Sequence, residues 1–461
     1  MAKREDGSDA TVTAVGTRSP AGPTAGPTDP RHTGRHLVLL RDGTGRAGVE
    51  LLRNAAGLRM AVSSDFEGIV RKAHLVAGEG MLFERIGVAL LHGDPDRARA
   101  LVNRAEPNSI AVEPERFVRA TGQGDESGSP AARTPGVGHP SPAAPGSARS
   151  SGKQLSAQSV ANDGRPGPTP LSMPVADTAE ATWGLQALRV LSSRFSGLGI
   201  RVAVLDTGLD LQHPDFAGRN IVAQSFVTGA AVDDGLGHGT HCAGVVCGPA
   251  HPSQPPRYGV APNARLYVGK VVGDDGSGTD GNVLAGIDWA VRNSCAVICM
   301  SLGTPVVQGE PYSHIYEQVA ARALAAGTVL VAAAGNESER PDAVVPVNHP
   351  ADCPSILAVG AIDPHFGIAP FSNGGLSPDG GEVDIAAPGV AIVSSWPRPA
   401  LYRAASGTSM AAPLVTGILA LLAEANPAAR GTALQALLLN TALALSLPAR
   451  DVGAGLPQAP Q

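Results

Sequence analysis

A serine at position 409 lies in a sequence that suits a nucleophile. Residues 407–413 read GTSMAAP, and an apolar run follows over 414–422. Gly407 permits a tight turn from a strand into a helix, and 410–425 has a helix-forming composition. Ser409 would then lie at a helix N-terminus, where free N–H groups and the helix dipole favour an oxyanion. A simple helix cap explains such a serine equally well, so its role depends on whether a base and an acid accompany it.

Both partners occur upstream of the serine. Residues 200–206 (IRVAVLD) predict a buried parallel strand that ends at Asp206, and such strand ends face the crevice of an open α/β sheet. Residues 237–244 (GHGTHCAG) place His238 between two glycines at the start of another apolar helix, with His241 as the alternative base. A serine hydroxyl needs a base to take its proton, and the base needs a carboxylate to orient it. The pattern therefore favours acyl-transfer chemistry.

Three segments together resemble the signatures of the subtilisin-like serine proteases, the subtilases. They read VAVLDTGLD, GHGTHCAG and GTSMAAP, and they carry Asp, His and Ser in that chain order. This order separates subtilisins from chymotrypsin-like proteases and from α/β-hydrolases. The resemblance implies a serine endopeptidase whose triad is Asp206, His238 and Ser409, with His241 structural. It also implies hydrolysis through an acyl-enzyme intermediate with no required cofactor.

The resemblance extends to an oxyanion donor. Residues 328–336 (TVLVAAAGN) form an apolar strand that ends at Asn336 on the carboxyl edge of the predicted sheet. An asparagine that follows a glycine is more often a turn residue. Here it matches the family's oxyanion asparagine, so we expect its amide to act with the backbone N–H of Ser409.

Small residues suggest where a peptide would bind. An extended substrate can add as a β-strand wherever small residues let another backbone approach closely. The segments that resemble the family's substrate-lining edges are Gly276, Ser277 and Gly278, and Ser301, Leu302 and Gly303; one wall of the P1 pocket, which holds the residue before the scissile bond, would be Ala333, Ala334 and Gly335. Glu337 is expected on the rim of that pocket, where it would favour basic or polar side chains.

The C-terminal part of the chain predicts an α/β fold with a doubly wound, mostly parallel sheet, because strand and helix patterns alternate. The predicted strands are 201–205, 265–272, 296–300, 329–333 and 356–359, and the clearest helices are 282–293 and 312–325.

A smaller pattern precedes it. Its predicted elements are strands at 37–40, 58–62, 86–91 and 109–112 and helices at 48–56 and 94–105. This order suggests a small α+β, ferredoxin-like domain. Its position upstream of a subtilase-like segment resembles the family's inhibitory propeptide, although an unrelated small α+β domain fits the pattern too.

Four parts of the chain follow from these patterns. We expect a disordered N-terminus over 1–35, the propeptide-like domain over 36–120, a flexible Pro/Gly/Ser-rich linker over 121–177 and the catalytic domain over 178–461. We also expect cleavage in or after the linker, so that the enzyme is made as a self-processed zymogen with its own propeptide as intramolecular inhibitor.

Composition limits the other partners. A net charge of −6 argues against nucleic acid, and five cysteines exclude a dense disulfide framework. The N-terminus lacks the apolar segment of a signal peptide, and no run reaches the length of a membrane span. We therefore expect polypeptide substrates, no membrane and a monomer. The compartment stays open, because the family resemblance implies secretion and the sequence shows no export signal.

Three residues leave questions for the structure. Cys242 resembles the free thiol beside the catalytic histidine of proteinase K-like subtilases, which implies sensitivity to mercurials; an inert buried cysteine is the alternative. Asp215 matches a calcium-binding position in some relatives, but the nearby loop is poor in oxygen ligands, so the sequence does not support calcium. Leu414 replaces a histidine of the family signature, so we expect an altered local hydrogen bond.

Two other functions are compatible with the fold. The first is a catalytically idle binding protein, which the intact set of Asp206, His238, Asn336 and Ser409 argues against. The second is a dedicated enzyme that trims one partner precursor, and the sequence does not separate it from a protease of broad specificity.

Overall fold

The computed structural model describes residues 31–40, 50, 60–63, 80–91, 109–120, 174–377 and 379–461. The strands in these ranges are β1 (His32–Leu40), β2 (Met60–Val62), β3 (Gly80–Phe83), β4 (Val88–Leu91), β5 (Ser109–Ala120), β6 (Arg201–Asp206), β7 (Val222–Ser225), β8 (Arg265–Lys270), β9 (Ser277–Thr279), β10 (Val297–Met300), β11 (Leu302–Gly303), β12 (Val329–Ala333), β13 (Leu357–Ile362), β14 (Ile385–Pro388), β15 (Ile392–Ser395) and β16 (Tyr402–Ala405). The α-helices are α1 (Trp183–Ala187), α2 (His238–Cys247), α3 (Asp280–Arg292), α4 (His314–Ala325), α5 (Thr408–Ala425), α6 (Thr432–Asn440) and α7 (Ala449–Val452).

The centre of the C-terminal part is a seven-stranded parallel sheet in the order β14-β13-β12-β10-β6-β8-β7. The five predicted strands and both predicted helices are present, and β7 and β14 extend the sheet at its two edges. The predicted α/β class with a parallel sheet is confirmed.

Helices cover both faces of this sheet. Successive side chains of a strand point to opposite faces, so in β12 Val329 and Val331 join one core while Leu330 and Ala332 join the other. The first core contains residues of α2 and α5, and the second contains residues of α3 and α4. Burial on two faces explains why these strands read as continuous apolar runs.

Helix α5 is an almost fully buried helix that packs against the sheet. It is long and apolar enough to cross a membrane by composition alone, yet 89% of it is buried inside the structure, as in a core helix. It carries Pro413 in its second turn, where the ring removes the hydrogen bond to the carbonyl of Ser409. That carbonyl finds other donors in the site described below.

The N-terminal strands form a second sheet in the order β5-β1-β4-β3-β2. Strand β1 is antiparallel to β5 and β4, β3 is antiparallel to β4, and β2 is parallel to β3. Strand β3 was not predicted from the sequence. The predicted helices at 48–56 and 94–105 lie outside the described residues except for Glu50, so the ferredoxin-like assignment stays a prediction.

Strand β5 is much longer than the predicted strand at 109–112 and joins the two parts of the molecule. Its beginning pairs with β1, and its end pairs with two short strands of the C-terminal part. Phe117, Val118 and Arg119 lie opposite β9, while Arg119 and Ala120 lie opposite β11. The edge segments predicted to line a substrate thus hold a strand of the chain itself.

Truncation of Leu330 to alanine is expected to destabilise the fold by about 2–5 kcal/mol, because its side chain is fully buried between β12 and the α3–α4 layer. Urea denaturation in a Ser409→Ala background, which removes the expected protease activity, would measure this. Leu198→Ala is the matched control, since Leu198 is 65% exposed and should cost little. Equal effects of the two substitutions would contradict this description of the core.

Candidate active site

Asp206 and His238 meet at the carboxyl edge of the parallel sheet. Asp206 is the last residue of β6 and is fully buried, and its Oδ1 lies 2.7 Å from His238 Nδ1. The same oxygen accepts a hydrogen bond of 2.8 Å from the Thr207 backbone N–H. A buried carboxylate bound to Nδ1 fixes the orientation of the imidazole ring and leaves Nε2 for chemistry.

A neighbouring carboxylate that the sequence analysis did not single out shapes the turn before His238. Asp234 accepts hydrogen bonds from the backbone N–H groups of Leu236, Gly237 and Thr240 and from the hydroxyls of Thr207 and Thr240. It therefore caps the start of α2 and ties it to the residue after Asp206. The available signal was an aspartate just ahead of a helix start.

Gly237 is required in this turn. Its φ is +99°, and a Cβ at this position would collide with the ring of Trp396. Only glycine adopts this conformation and also avoids the contact. The positive φ and the contact with Trp396 thus explain why the motif has a glycine directly before His238.

Ser409 lies in the first turn of α5 and is buried. Its Oγ donates to the Ser301 carbonyl at 3.3 Å, and its own carbonyl accepts from Ser301 Oγ at 2.9 Å and from Cys242 Sγ at 3.5 Å. These donors replace the N–H that Pro413 lacks. Cys242 Sγ also lies 3.8 Å from His238 Nδ1, so one side chain bridges the histidine helix and the serine helix.

Asn336 follows β12 and faces the start of α5. Its Oδ1 accepts hydrogen bonds from the Thr408 backbone N–H at 2.8 Å and from Thr408 Oγ1 at 3.0 Å. These bonds orient the amide so that Nδ2, which is buried, makes no hydrogen bond within the described residues. The amide is thus held by Thr408, the residue directly before Ser409. A buried amide donor without an acceptor at this place is suited to bind a developing negative charge.

The predicted substrate edges lie on either side of β5. Ser277 and Gly278 belong to β9, Gly276 immediately precedes it and accepts a hydrogen bond from the Ala120 N–H at 3.3 Å, and Leu302 and Gly303 form β11. Ala333 ends β12, and Ala334 and Gly335 continue toward Asn336. A Cβ at Gly278 would lie 2.5 Å from the Val271 carbonyl oxygen and 3.3 Å from the Val118 side chain, so the neighbouring backbone requires glycine there and β5 packs closely against it.

Glu337 has a different use from the predicted one. Its Oε2 accepts hydrogen bonds from the side-chain amides of Asn348 and Asn373 and from the Asn336 backbone N–H. The carboxylate is therefore engaged in holding the loop of Asn336. This internal use does not support a role in selecting basic substrate side chains.

The Cys242 thiol is fully buried. Burial, followed by the nearby Asp206 carboxylate, raises the pKa of this thiol well above its usual value. The group is held as a neutral thiol that packs between α2 and α5, which favours the inert alternative over a reactive thiolate.

The carboxylate of Asp215 does not fit a calcium ligand. One oxygen accepts from the backbone N–H and hydroxyl of Ser253, and the other accepts from the hydroxyls of Tyr258 and Tyr402. Burial opposes ionisation, but these four bonds outweigh it and lower the pKa of Asp215. Since both oxygens are saturated by protein donors, the residue serves the local fold.

Leu414 stands where the family signature has a histidine, and its side chain packs in the apolar core. The side chain is buried in the core that contains α2 and α5. Its Cδ1 lies 3.4 Å from the position of a Cβ on Gly184, so Leu414 closes the packing between α5 and α1.

The fold and this set of side chains define a serine hydrolase of the α/β class, and comparison with known proteins gives its family. Residues 197–455 match the model of the subtilase family, so the chain belongs to this family and is a serine-type endopeptidase. It is 38% identical to subtilisin DY of Bacillus licheniformis over 244 residues, which cover 53% of this chain and 83% of that protein. It is also 38% identical to subtilisin BL of Lederbergia lenta, covering 57% of this chain and 91% of that protein. For subtilisin E of Bacillus subtilis the identity is 39%, covering 53% and 60%.

His241 makes the stability of the fold depend on pH. Burial, reinforced by the nearby His238, lowers the pKa of His241 from 6.5 to about 4, and its Nε2 bonds the carbonyl of Ile392. Because the unfolded chain binds this proton more readily, the fold should lose stability as pH falls from about 6.5 to about 4. His241→Gln should remove about 3 kcal/mol of that loss, as expected from the size of the pKa shift.

Urea denaturation at pH 7.5 and pH 4.5 in the Ser409→Ala background would measure the difference. His365→Gln is the control, since His365 is exposed and its replacement should leave the pH dependence nearly unchanged. If His241→Gln retains the full pH dependence of the parent, the assignment of a neutral buried histidine is wrong.

Proposed function

We propose that this endopeptidase cleaves peptide bonds with Ser409 as nucleophile, His238 as general base and acid, and Asp206 as the carboxylate that orients His238. The observation that carries the assignment is the 2.7 Å contact between buried Asp206 and His238, at the sheet edge where Ser409 lies in the first turn of α5. His238 takes the proton of Ser409 as its oxygen attacks the substrate carbonyl, and it later returns that proton to the leaving amine. Water then hydrolyses the acyl-enzyme by the same steps in reverse.

Asn336 is proposed to stabilise the oxyanion that forms on the substrate carbonyl. Its Nδ2 is a buried donor that makes no hydrogen bond in the described part of the chain, and Thr408 holds the amide in place through Oδ1. A donor that is already oriented costs no reorganisation when charge develops. The backbone N–H of Ser409, near the start of α5, would supply the second hydrogen bond.

The substrate is proposed to bind as an extended strand between β9 and β11. Strand β5 occupies this slot and pairs antiparallel with both edges, which supports the proposal. Main-chain hydrogen bonds of this kind recognise an extended peptide whatever its sequence. The family acts on polypeptides, and in this proposal the slot would hold one in an extended conformation.

We further propose that the chain is a self-inhibited zymogen. Strand β5 belongs to the N-terminal sheet, so the uncleaved chain fills its own substrate slot. Two carboxylates at the start of this contact strengthen it: Glu113 accepts from the N–H of Ile315 at the start of α4, and Glu115 accepts from the N–H of Gly281 at the start of α3. Carboxylates at helix N-termini are favourable because they pair free N–H groups and oppose the helix dipole.

The direction of β5 suggests where the chain is cut. Arg119 lies opposite Gly303 and Ala120 lies opposite Leu302, so the strand runs toward Ser301, whose carbonyl accepts from Ser409 Oγ. A cut within the first few residues after Ala120 is therefore expected, at the beginning of the predicted linker over 121–177. The N-terminal segment would then remain as an inhibitor until it dissociates or is degraded.

Ser409→Ala should abolish both caseinolytic activity and maturation, with a loss of about 10⁶ in kcat. Intact mass and N-terminal sequencing of the purified proteins would test this. Wild type should give a shortened species that begins soon after Ala120, and the variant should stay full-length. A fully active wild type that keeps all 461 residues would contradict the zymogen proposal while leaving the protease assignment intact.

Asn336→Ala should lower kcat by about 10²–10³ with little change in KM, because the lost hydrogen bond forms only in the transition state. Asn263→Ala is the control, since Asn263 contacts Ser196 on an exposed loop and should leave kcat unchanged. Steady-state kinetics on a chromogenic peptide would distinguish the outcomes. A variant that loses affinity and keeps kcat would assign Asn336 to substrate binding in place of oxyanion stabilisation.

A further inference from the structure

Glu310 is an acidic residue on the loop that follows β11, beside the slot that β5 occupies. Its Oε2 lies 2.8 Å from Arg31 Nη1, and its Oε1 lies 3.7 Å from Arg116 Nη2. The Val307 backbone N–H donates to Oε2 at 3.1 Å and thereby fixes the carboxylate. The two arginines belong to the N-terminal part of the chain, whereas Glu310 belongs to the catalytic part.

Arg116 immediately precedes the part of β5 that pairs with β9 and β11, and it lies opposite His32 of β1. It lies on β5 three residues before Arg119, which pairs with both β9 and β11. Its backbone N–H donates to Asp280 Oδ2 at 2.8 Å, so the catalytic part also holds the main chain at this position. A substrate bound in the register of β5 would therefore place its corresponding side chain toward Glu310.

Among the described residues, the ion pairs of Glu310 are with Arg31 and Arg116, both of the N-terminal part. Asp280, which accepts from the Arg116 backbone N–H, is paired with the buried His349 at 3.2 Å. Glu310 pairs with arginines of the N-terminal part, which the proposed maturation would remove. Although partial burial opposes ionisation, the bond from Arg31 and the charges of Arg31 and Arg116 lower the pKa of Glu310, which keeps it ionised.

We propose that Glu310 is a specificity-determining residue that selects substrates with a basic side chain at the position of Arg116, four residues before Ala120. This inference rests on the proposed function, because it takes β5 to mark the substrate register. The subsite recognises arginine or lysine through charge, in addition to the main-chain pairing that accepts any extended peptide.

The size of the preference follows from the geometry. Arg116 and Glu310 are 14% and 21% exposed as side chains, so their attraction is less screened than that of a surface pair. Exposed ion pairs contribute up to about 1 kcal/mol, which corresponds to roughly fivefold in kcat/KM, and partial burial extends this to about tenfold. We expect a preference of about threefold to tenfold.

The test uses mature enzyme produced from the full chain and an internally quenched peptide with the sequence of residues 113–124. Companion peptides carry Arg116→Ala, Arg116→Glu or Arg119→Ala. The last removes the same charge at a position that Glu310 does not contact in the described structure. Each enzyme is tested on all four peptides, and ratios of kcat/KM within one preparation cancel any difference in the amount of active enzyme.

Wild type should cut the parent peptide about threefold to tenfold faster than the Arg116→Ala peptide, and Glu310→Gln should bring that ratio close to one. Glu310→Lys should prefer the Arg116→Glu peptide. The effect of Arg119→Ala should be the same for all enzymes. Glu180→Gln is the matched enzyme control, because Glu180 is an exposed glutamate in the catalytic part.

The outcomes separate this inference from the proposed function. An enzyme that digests casein but cuts the parent and Arg116→Ala peptides equally, or leaves the parent uncut, overturns the subsite alone. An enzyme that cuts neither casein nor any peptide overturns the proposed function as well. If Glu310→Gln weakens inhibition by the N-terminal segment without changing the peptide ratios, Glu310 only fastens that segment and the inference is wrong.

Discussion

The parallel sheet, buried on both faces, is the constraint on which the rest of the structure depends. Its strands place alternate apolar side chains into two separate cores, so the interior positions of the central strands are predominantly apolar. Polar groups are displaced to the strand ends, where Asp206 follows an apolar run and Asn336 comes just after another. The connections of a parallel sheet bring these strand ends to one edge, so the polar side chains lie close together there.

At this edge, every buried polar group needs a partner, and the pattern of partners builds the site. Asp234 satisfies the turn that carries His238, and Thr408 satisfies one end of the Asn336 amide. Pro413 frees the Ser409 carbonyl, which Ser301 and Cys242 then occupy. Asn336 Nδ2 makes no hydrogen bond within the described residues, and it is the donor with a proposed use in the transition state.

The slot between β9 and β11 serves two proposed occupants with one set of contacts. Strand β5 pairs with both edges through its backbone, and a substrate would use the same donors and acceptors. Inhibition and substrate binding are then coupled. The slot should prefer the same side chains in an inhibitory strand as in a substrate, because both bind in the same place. The side chains of β5 therefore indicate substrate preferences that the backbone pairing does not. The proposed preference for a basic side chain rests on the contact between Arg116 and Glu310.

Much of this protein was determined by its sequence alone. Apolar runs and their alternation with helices predicted the parallel sheet, because burial on two faces leaves a direct imprint on residue type. The motifs around Asp206, His238 and Ser409 predicted the family, since few chemistries require those residue types in that order. The sequence also predicted the segments beside the slot, because close approach of another backbone demands small residues.

Only the tertiary structure decided how partners far apart in the chain are matched. Nothing local in the sequence indicates that β5 continues past residue 112 into the slot, because a strand ends where its pairing partners end. The internal use of Glu337 and the saturation of Asp215 by Ser253, Tyr258 and Tyr402 likewise depend on neighbours distant in sequence. Hydrogen bonds and ion pairs form only between groups that the fold brings within about 3 Å of each other. Residue types therefore predict which interactions are possible, and the tertiary structure determines which of them form.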